Sequence, residues 1–394
     1  MTSHVEEERL LLGHIDRSRM KADQTLRSES TITGGWSPVR KTTTTLADGR
    51  NLIYFDEDAR PLRTTHDTRD LPSVHHQSEL RYDLLTETWV TIASHRQDRI
   101  YLPTDDACPF CPSSEHNLSE IPEADYDVVV FENRFPSFSG AGATAPRAGI
   151  GNDETLPAVG SCEVICFTSD HNSSFGALSP DRVRLILDAW VDRTAALTGH
   201  EGIAQIYCFE NRGPEIGVTE QHPHGQIYGY PYITPRTTRV LAAVRRHALA
   251  TGKNLFDEVL ANEQDDGTRL VIAGEHWTAF VPHAAKWPFE VHLYPTIRVP
   301  NLTALSDAAK TEFCSLYLDL FRRFDALFGI PMPYISGWHQ APSGTEEEFA
   351  LHLEIFSIRR TADKLKFLAG SESGMDAFIS DVVPESAAER LRSA

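Results

Sequence analysis

The chain has 394 residues, of which 41% are hydrophobic and 24% are charged, a composition typical of folded globular proteins. Its 37 lysine and arginine residues face 56 aspartate and glutamate residues, which gives a formal net charge of −19. Such an acidic surface repels phosphate backbones, so we expect no nucleic-acid partner and only a local basic site for any phosphorylated ligand. No apolar run could span a membrane and no secretory signal pattern opens the sequence, so we expect a cytoplasmic protein without a membrane partner.

Residues 1–78 predict an N-terminal extension that contains a hairpin and a linker. Two β-prone runs within residues 41–55 flank the dipeptide Asp48-Gly49, and this dipeptide tolerates the positive φ of a tight turn. Residues 56–77 are charged and irregular, which is typical of a linker. A second pair of strands is predicted on either side of a turn at Thr86-Glu87.

The rest of the chain contains an internal repeat. Each copy predicts a strand, then an amphipathic helix that begins after a serine, then a second strand, then a segment that carries histidine. Equivalent landmarks lie about 127 residues apart, namely Glu163 and Glu290, Ser179 and Ser306, and His224 and His352. We therefore expect two similar α/β halves, residues 79–240 and 241–394. The alternative is two unrelated α/β segments of similar length.

The segment from His222 to Gln226 carries the strongest chemical signal. His222, His224 and Gln226 alternate with Pro223 and Gly225, so on an extended strand the three polar side chains would share one face. Two imidazoles and an amide on one face lose hydration unless a metal or a polar ligand meets them. The alternative is a solvent-facing polar edge, which gives the proline and glycine spacing no purpose.

Cys108 and Cys111 form a Cys-x-x-Cys pair, which is half of a tetrahedral zinc site. The candidates for the other two ligands are His222 and His171, since His171 follows the strand predicted at Glu163. Four protein ligands would leave no position for water, so such a zinc ion would be structural. A redox dithiol is the alternative, but no strand-then-helix pattern surrounds the pair.

Taken in order, these segments resemble the galactose-1-phosphate uridylyltransferase family of the histidine-triad superfamily over roughly residues 79–394. No single segment would be specific. The resemblance implies an α+β fold, in which two tandem histidine-triad-like halves have an antiparallel sheet and flanking helices. The segments that carry it are Cys108-Pro-Phe-Cys111, Ser169-Asp-His171, Phe209-Glu-Asn-Arg-Gly213, His222-Pro-His-Gly-Gln226, Gly337-Trp-His-Gln-Ala-Pro342 and Lys366-Phe-Leu-Ala-Gly-Ser-Glu372.

The resemblance implies a reaction in two steps. His224 matches a nucleophile that attacks the α-phosphorus of UDP-glucose, which releases glucose 1-phosphate and leaves a uridylylated histidine. Galactose 1-phosphate then takes the uridylyl group in a ping-pong reaction. This agrees with the chemistry of imidazole, which is nucleophilic when neutral at pH 7 and leaves readily. Gln226 matches an amide that hydrogen-bonds the phosphoryl oxygens.

The resemblance also implies the remaining site residues. It gives phosphate and nucleotide contacts to Arg96, Arg99, Asn133, Asn211, Gly217 and Thr219, contacts to the hexose phosphate to Lys366 and Glu372, and structural zinc to Cys108, Cys111, His171 and His222. The active site of the family is shared across a homodimer interface. The alternative for Arg96 and Arg99 is a solvated basic turn.

The sequence departs from the family pattern at a second metal site. Some members hold a second metal, often iron, with a glutamate and three histidines. Here His339 and His352 match two of the histidines, but Glu354 stands at the third, and Val240 or Leu241 stands at the glutamate. We therefore expect iron to be absent, and the two histidines to be packed polar residues.

Other departures concern the sugar. Ser371 stands in place of an aromatic residue, and Phe378 or Ile379 in place of a glutamine, so the acceptor hexose is left open. One alternative function is a nucleotide phosphorylase of the same superfamily that acts on an ADP-sugar or a dinucleoside polyphosphate. Another is a non-catalytic, zinc-stabilised binding protein. The segments that begin at Gly337 and Lys366 favour the uridylyltransferase.

Overall fold

The hydrophobic strand segments assemble into one large antiparallel sheet. A computed structural model describes residues 28–32, 39–57, 60–72, 78–98, 103–139, 147–148 and 154–394. Its strands are β1 (Ser28–Ile32), β2 (Val39–Thr45), β3 (Asn51–Glu57), β4 (Glu79–Asp83), β5 (Thr88–Ile92), β6 (Val128–Glu132), β7 (Arg147–Ala148), β8 (Glu154–Pro157), β9 (Ser161–Cys166), β10 (Gln205–Arg212), β11 (His224–Tyr230), β12 (Leu270–Ala273), β13 (Trp277–Phe280), β14 (Phe289–Pro295), β15 (Tyr334–His339), β16 (His352–Ser357), β17 (Arg359–Thr361) and β18 (Lys364–Leu365). Its helices are α1 (Pro180–Leu197), α2 (Pro235–Thr251), α3 (Leu255–Asp266), α4 (Asp307–Ala326), α5 (Gly370–Met375) and α6 (Pro384–Ser393).

The large sheet has twelve strands in the order β1-β2-β3-β6-β9-β11-β10-β15-β16-β14-β13-β12. From β9 to β14 the order is symmetric about the pair β10 and β15, where the two copies of the repeat meet through antiparallel pairing. β9, α1, β10 and β11 of the first copy recur as β14, α4, β15 and β16 in the second. The predicted α+β fold is confirmed: the strands of both halves form one continuous antiparallel sheet, and the helices flank it.

The two long helices begin where the sequence predicts. The hydroxyl oxygen of Ser179 accepts from the backbone N–H of Arg182 at the start of α1, and that of Ser306 accepts from Ala309 at the start of α4. Each bond satisfies an amide that the helix leaves without an internal partner. Both helices pack their apolar stripes against one face of the sheet.

The core between α1, α4 and the sheet is rich in large aromatic side chains. Trp190 of α1 contacts Phe175 and Trp338, and Phe313 of α4 contacts Tyr317 and Trp338. All five side chains are almost fully buried. Truncating an aromatic residue in such a core costs about 3–5 kcal/mol, so this layer holds the sheet rigid beneath its other face.

Both predicted hairpins are present. β2 pairs with β3 around Gly49, which has a φ of 92°, and β4 pairs with β5 next to Glu87, which has a φ of 53°. β3 also pairs with β6, so the N-terminal hairpin extends the main sheet. β4 and β5 belong to a separate sheet of four strands, and β17 and β18 pair with each other.

The predicted linker has no helix or strand between residues 60 and 72, as expected, but ion pairs hold it to the domain. Arg63 pairs with the buried carboxylate of Asp56, and Arg60 pairs with Asp127 at 2.6 Å. The described part of the extension is therefore packed against the first half. Within the part of the chain that the structure describes, no helix combines the length and the apolar character needed to cross a bilayer.

Candidate active site

Four predicted metal ligands come together from separate segments of the first half. The Nδ1 atom of His222 lies 3.9 Å from the sulfur of Cys108 and 3.6 Å from that of Cys111, and Nδ1 of His171 lies 3.4 Å from the sulfur of Cys111. Tetrahedral bonds of zinc to sulfur and nitrogen would separate such ligand atoms by about 3.6 Å. The four side chains could therefore hold a metal ion as they stand.

The hydrogen bonds of His222 fix which nitrogen faces the thiols. Nε2 lies 2.7 Å from the carbonyl oxygen of Thr168 and 2.8 Å from the hydroxyl of Tyr126. A carbonyl only accepts, so Nε2 carries the proton and Nδ1 presents its lone pair to the cluster. Burial lowers the pKa of His222 to about 4, which keeps the ring neutral as a metal requires.

The buried thiols also favour a cation. Burial raises the pKa of Cys108 to about 12, so a thiolate forms there only beside a positive charge. Two soft sulfur donors and two imidazoles are a donor set that suits zinc. The chemistry and the spacing of this cluster therefore fit the metal that the sequence predicts.

His224 is the first residue of β11, between β9 and β10. Its Nδ1 lies 2.7 Å from the carbonyl oxygen of His222, so Nδ1 donates and Nε2 carries the lone pair. Gly225 is required beside it, because a Cβ there would lie 2.7 Å from the carbonyl oxygen of Phe209. The strand thus holds a neutral imidazole with a defined nucleophilic nitrogen.

The prediction that His222, His224 and Gln226 share one strand face is wrong for His222. β11 begins only at His224, and His222 lies in the bend before it, with its side chain buried against the metal cluster. The strand ladder ends at Pro223, which has no N–H to donate, although its carbonyl oxygen still accepts from the backbone N–H of Phe167 at 3.1 Å. The motif therefore divides its residues between a metal site and a substrate site.

His224 and Gln226 line a cavity of about 400 Å³ on the face of the sheet opposite α1 and α4. Its mixture of aromatic walls and convergent polar groups is typical of a site for a small ligand. The predicted site residues among its lining are Arg96, Asn133, Asn211, Gly217, Thr219, His224 and Gln226. The sequence analysis assigned no role to the other lining residues, which include Phe110, Phe131, Phe209 and Tyr228.

Arg96 is positioned at the edge of this cavity rather than in a solvated turn. One guanidinium nitrogen of Arg96 donates to the carbonyl oxygen of Phe135 at 3.1 Å and to the hydroxyl of Ser137 at 2.6 Å. Asn133 is held nearby, since its side-chain oxygen accepts from the backbone N–H of Phe135 at 2.8 Å. Arg99, the second predicted arginine, lies outside the described residues.

Two residues missed by sequence reasoning connect the metal cluster with the nucleophile. Tyr126 binds His222, and its own hydroxyl donates to the carbonyl oxygen of Phe110 at 2.9 Å. The Phe110 ring lies 4.8 Å from the ring of His224. The position of Phe110 between the two cysteines was the only signal for it in the sequence, and nothing marked Tyr126.

The structure does not bring Lys366 and Glu372 to the cavity around His224. They bind each other instead, with the ammonium of Lys366 lying 2.9 Å from Oε1 of Glu372 and also donating to the carbonyl oxygen of Ile379. The hydrogen bond from Lys366 lowers the pKa of Glu372 to about 2. Within one chain the two residues form a fixed ion pair away from the cavity.

A second polar cluster lies on the same sheet face in the second half. His339 and His352 stack with their ring centroids 4.9 Å apart, and both present Nε2 to the carboxylate of Glu354 at 3.4 Å. His292, which pairs with Glu354 across β14 and β16, lies 3.7 Å from it. The guanidinium of Arg236 lies 2.6 Å from the same carboxylate. Sequence spacing could not reveal His292 or Arg236, since both depend on how separate elements pack.

Family models match almost the whole region from the linker to the C-terminus. The N-terminal domain model of galactose-1-phosphate uridyl transferase matches residues 65–234, and the C-terminal domain model matches residues 241–394. The chain belongs to the galactose-1-phosphate uridylyltransferase family. The resemblance inferred from the short segments is confirmed.

Curated relatives and solved structures agree with this family. The galactose-1-phosphate uridylyltransferase of Streptomyces lividans is 47% identical over 366 residues, covering 90% of this chain and 98% of its own. That of Thermotoga maritima is 37% identical over 80% of this chain and 98% of its own. A solved uridylyltransferase superimposes with a TM-score of 0.70 at 32% identity, over 80% of this chain and 97% of the other. An Arabidopsis thaliana ADP-glucose phosphorylase, at 22% identity and a TM-score of 0.61, shares the fold.

Proposed function

We propose that this enzyme moves UMP from UDP-glucose to galactose 1-phosphate through a uridylylated His224. The observation that carries the proposal is the bond from Nδ1 of His224 to the carbonyl oxygen of His222, because it leaves Nε2 as the nucleophile on the wall of the cavity. The names of the Streptomyces lividans and Thermotoga maritima relatives support the same reaction.

In the first step the Nε2 lone pair attacks the α-phosphorus, and the bond from this phosphorus to the bridging oxygen breaks. Glucose 1-phosphate departs with that electron pair. The positive charge that develops on the ring is stabilised by the carbonyl oxygen of His222, which accepts from Nδ1. In the second step a phosphate oxygen of galactose 1-phosphate attacks the same phosphorus, and the electron pair of the P–N bond returns to Nε2.

The cavity residues bind the nucleotide in this proposal. Arg96 neutralises charge that develops on the phosphoryl oxygens, and Arg99 is assigned the same role. The amide of Gln226 donates to a phosphoryl oxygen and, unlike an imidazole, does not take a proton from water, which favours transfer to a sugar phosphate. The remaining predicted contacts to the nucleotide and its phosphates are Asn133, Asn211, Gly217 and Thr219.

We assign zinc to the cluster of Cys108, Cys111, His171 and His222, as a structural ion. With four protein ligands the ion would have no open position for water, so it would supply rigidity rather than a bound water. His222 supports this assignment, because it is both a cluster residue and the acceptor for Nδ1 of His224. The metal thereby fixes the backbone that orients the nucleophile.

We also propose a homodimer in which the segment that carries Lys366 and Glu372 lies against the cavity of the partner subunit. Apolar side chains close to this pair in the sequence are exposed: Phe367 is 66% exposed, Met375 is 79% exposed and Ile379 is 59% exposed. Clusters of exposed apolar residues are typical of contact surfaces. The domain boundaries at residues 78 and 240, and a cytoplasmic location, stay predictions from the sequence.

Intact-protein mass spectrometry after mixing the enzyme with UDP-glucose alone tests the proposed reaction. The expected result is a gain of one uridylyl group that galactose 1-phosphate discharges. Discharge only by inorganic phosphate, or by another sugar phosphate, would contradict the acceptor. An adduct with ADP-glucose but not with UDP-glucose would identify a phosphorylase, and no adduct with either would contradict covalent catalysis.

A further inference from the structure

The cluster around Glu354 has no role in the proposed reaction. Its position corresponds to the second metal site of some family members. A second ion would need ligand atoms within reach and a negative charge that no other cation already balances. His339, His352 and Glu354 do present ligand atoms within reach of one ion. The question is whether another group already supplies the positive charge.

Arg236 supplies that charge. It lies in the first turn of α2, and one guanidinium nitrogen is 2.6 Å from Oε1 of Glu354. The Glu354 side chain is only 6% exposed, whereas that of Arg236 is 47% exposed. The arginine therefore enters from the surface and places its charged end on a buried carboxylate, with the rest of the side chain remaining in water.

Arg236 shares Oε1 of Glu354 with two of the imidazoles, whereas Nε2 of His339 lies 3.4 Å from the other oxygen, Oε2. Nε2 of His352 lies 3.4 Å from Oε1 of Glu354, and Nε2 of His292 lies 3.7 Å from this atom. Nδ1 of His352 donates to the carbonyl oxygen of Ala350 at 2.8 Å, so Nε2 of the neutral ring faces the carboxylate with a lone pair. The lone pair of His352 and the carboxylate oxygen of Glu354 repel each other unless a cation lies close by. The guanidinium of Arg236, at 2.6 Å, is closer to Oε1 than either imidazole.

The other candidate ligand group in this region, Glu290, His292 and Glu354, uses the same carboxylate. Leu241, at the position predicted for a glutamate ligand, packs with Val244 and Phe256 in an apolar cluster, and Val240 packs against that cluster. His292 is hydrogen-bonded at 3.0 Å to the carboxylate of Glu290, which is held in turn by the backbone N–H of Lys286. The described residues thus fit a metal centre poorly, because a permanent cation occupies its carboxylate.

We propose that the guanidinium of Arg236 stands in for the second metal and that this cluster is a metal-free ion network. Arginine keeps its charge at any physiological pH, so the network needs no ion to compensate Glu354. Removing the arginine should leave a buried carboxylate with the imidazoles of His292, His339 and His352, which is a vacant site for a divalent cation.

Metal content of the purified full-length protein tests the proposal directly. Elemental analysis by plasma mass spectrometry should give the same content in the wild type and in His352→Ala. A wild type that carries one ion more than His352→Ala would overturn the proposal. The proposed zinc site is tested separately by Cys108→Ser, so failure of either assignment is recognised independently of the other.

A second test uses Arg236→Ala after incubation with zinc chloride and gel filtration. This variant should retain one more zinc ion than the wild type, and the added change His352→Ala should abolish the gain. Arg236→Lys keeps the charge and should gain none. Arg239→Ala is the matched control, since Arg239 lies on the same helix and pairs with the exposed carboxylate of Asp376. If Arg236→Ala retains no extra ion, the guanidinium does not occupy the position of a metal.

Discussion

His224 and its counterpart in the second half, His352, differ in their surroundings more than in their geometry. His224 begins β11 and donates from Nδ1 to the carbonyl oxygen two residues earlier; His352 begins β16 and does the same. Two residues further on, Gln226 lines an open cavity, whereas Glu354 is buried against Arg236. The repeat thus places an oriented imidazole twice, and only one is accessible to a substrate.

The helices that follow β11 account for this difference. α2 and α3 pack Leu241, Phe256 and their neighbours with Tyr294 of β14 and Phe280 of β13, which covers the second half of the sheet face. The corresponding face of the first half is left open as the cavity of about 400 Å³. Catalytic competence depends here on what covers a repeated strand.

The largest expected difference between the two halves is the loss of kcat when each oriented histidine is replaced by asparagine. His224→Asn should lower kcat by at least about 10³-fold, because no nucleophile remains, and zinc content should be retained. His352→Asn should change kcat by less than about 10-fold, since its ring is buried away from the substrate. Steady-state assays with UDP-glucose and galactose 1-phosphate measure both. Comparable losses in the two variants would refute the difference in role.

Loss of the metal cluster should destabilise the first half. Cys108→Ser should remove the zinc and lower the free energy of unfolding by about 4 kcal/mol or more, because structural metal binding is coupled to folding. Urea unfolding and elemental analysis give the two quantities. Cys314→Ala is the control: this buried cysteine of α4 should cost only about 1–2 kcal/mol and leave the zinc in place. Zinc retained in Cys108→Ser would contradict the ligand assignment.

Gln226 of the first half corresponds to Glu354 of the second half. Placing a glutamate at position 226 should therefore impair substrate binding. Gln226→Glu puts a negative charge where the proposal places phosphoryl oxygens, and at about 4 Å this repulsion corresponds to roughly a 10²-fold or larger loss in kcat/KM. Gln226→Asn, which keeps an uncharged amide, is the control and should lose less. Equal effects of both variants would show that side-chain length, not charge, is the property that matters.

Acid should destabilise the second half through His352. Burial lowers the pKa of His352 to about 4 from 6.5, so the folded state binds fewer protons than the unfolded state between these values. Burial alone would raise the pKa of Glu354, but His339 and His292 hold it well below its usual range, which adds to the loss of stability in acid. Stability should therefore fall as the pH drops from about 6.5 to 4, by about 1.4 kcal/mol for each unit of pKa shift.

His352→Asn should flatten this part of the stability profile, measured by urea unfolding at a series of pH values. His276→Asn provides a comparison with a histidine of the same half outside the cluster. An unchanged slope in His352→Asn would assign the acid sensitivity to another group.

Local patterns in the sequence predict the strands, the helices and the pair Cys108 and Cys111, whereas His171 and His222 join this pair from separate segments. Strand and helix periodicity, the serines that cap α1 and α4, and the Cys-x-x-Cys spacing each reflect contacts within a few residues. The partners of those groups depend on packing between distant segments. Tyr126 behind His222, Arg236 on Glu354 and the division of the histidine motif between two sites could therefore be seen only in the structure.

The central claim is that His224, and not its counterpart His352, carries the uridylyl group. The most direct measurement is peptide mapping by mass spectrometry of the enzyme trapped with UDP-glucose in the absence of an acceptor. The adduct should lie on the peptide that contains His224 and be absent from His224→Asn, while His352→Asn should label fully. An adduct on any other residue, or an adduct that persists in His224→Asn, would contradict the account.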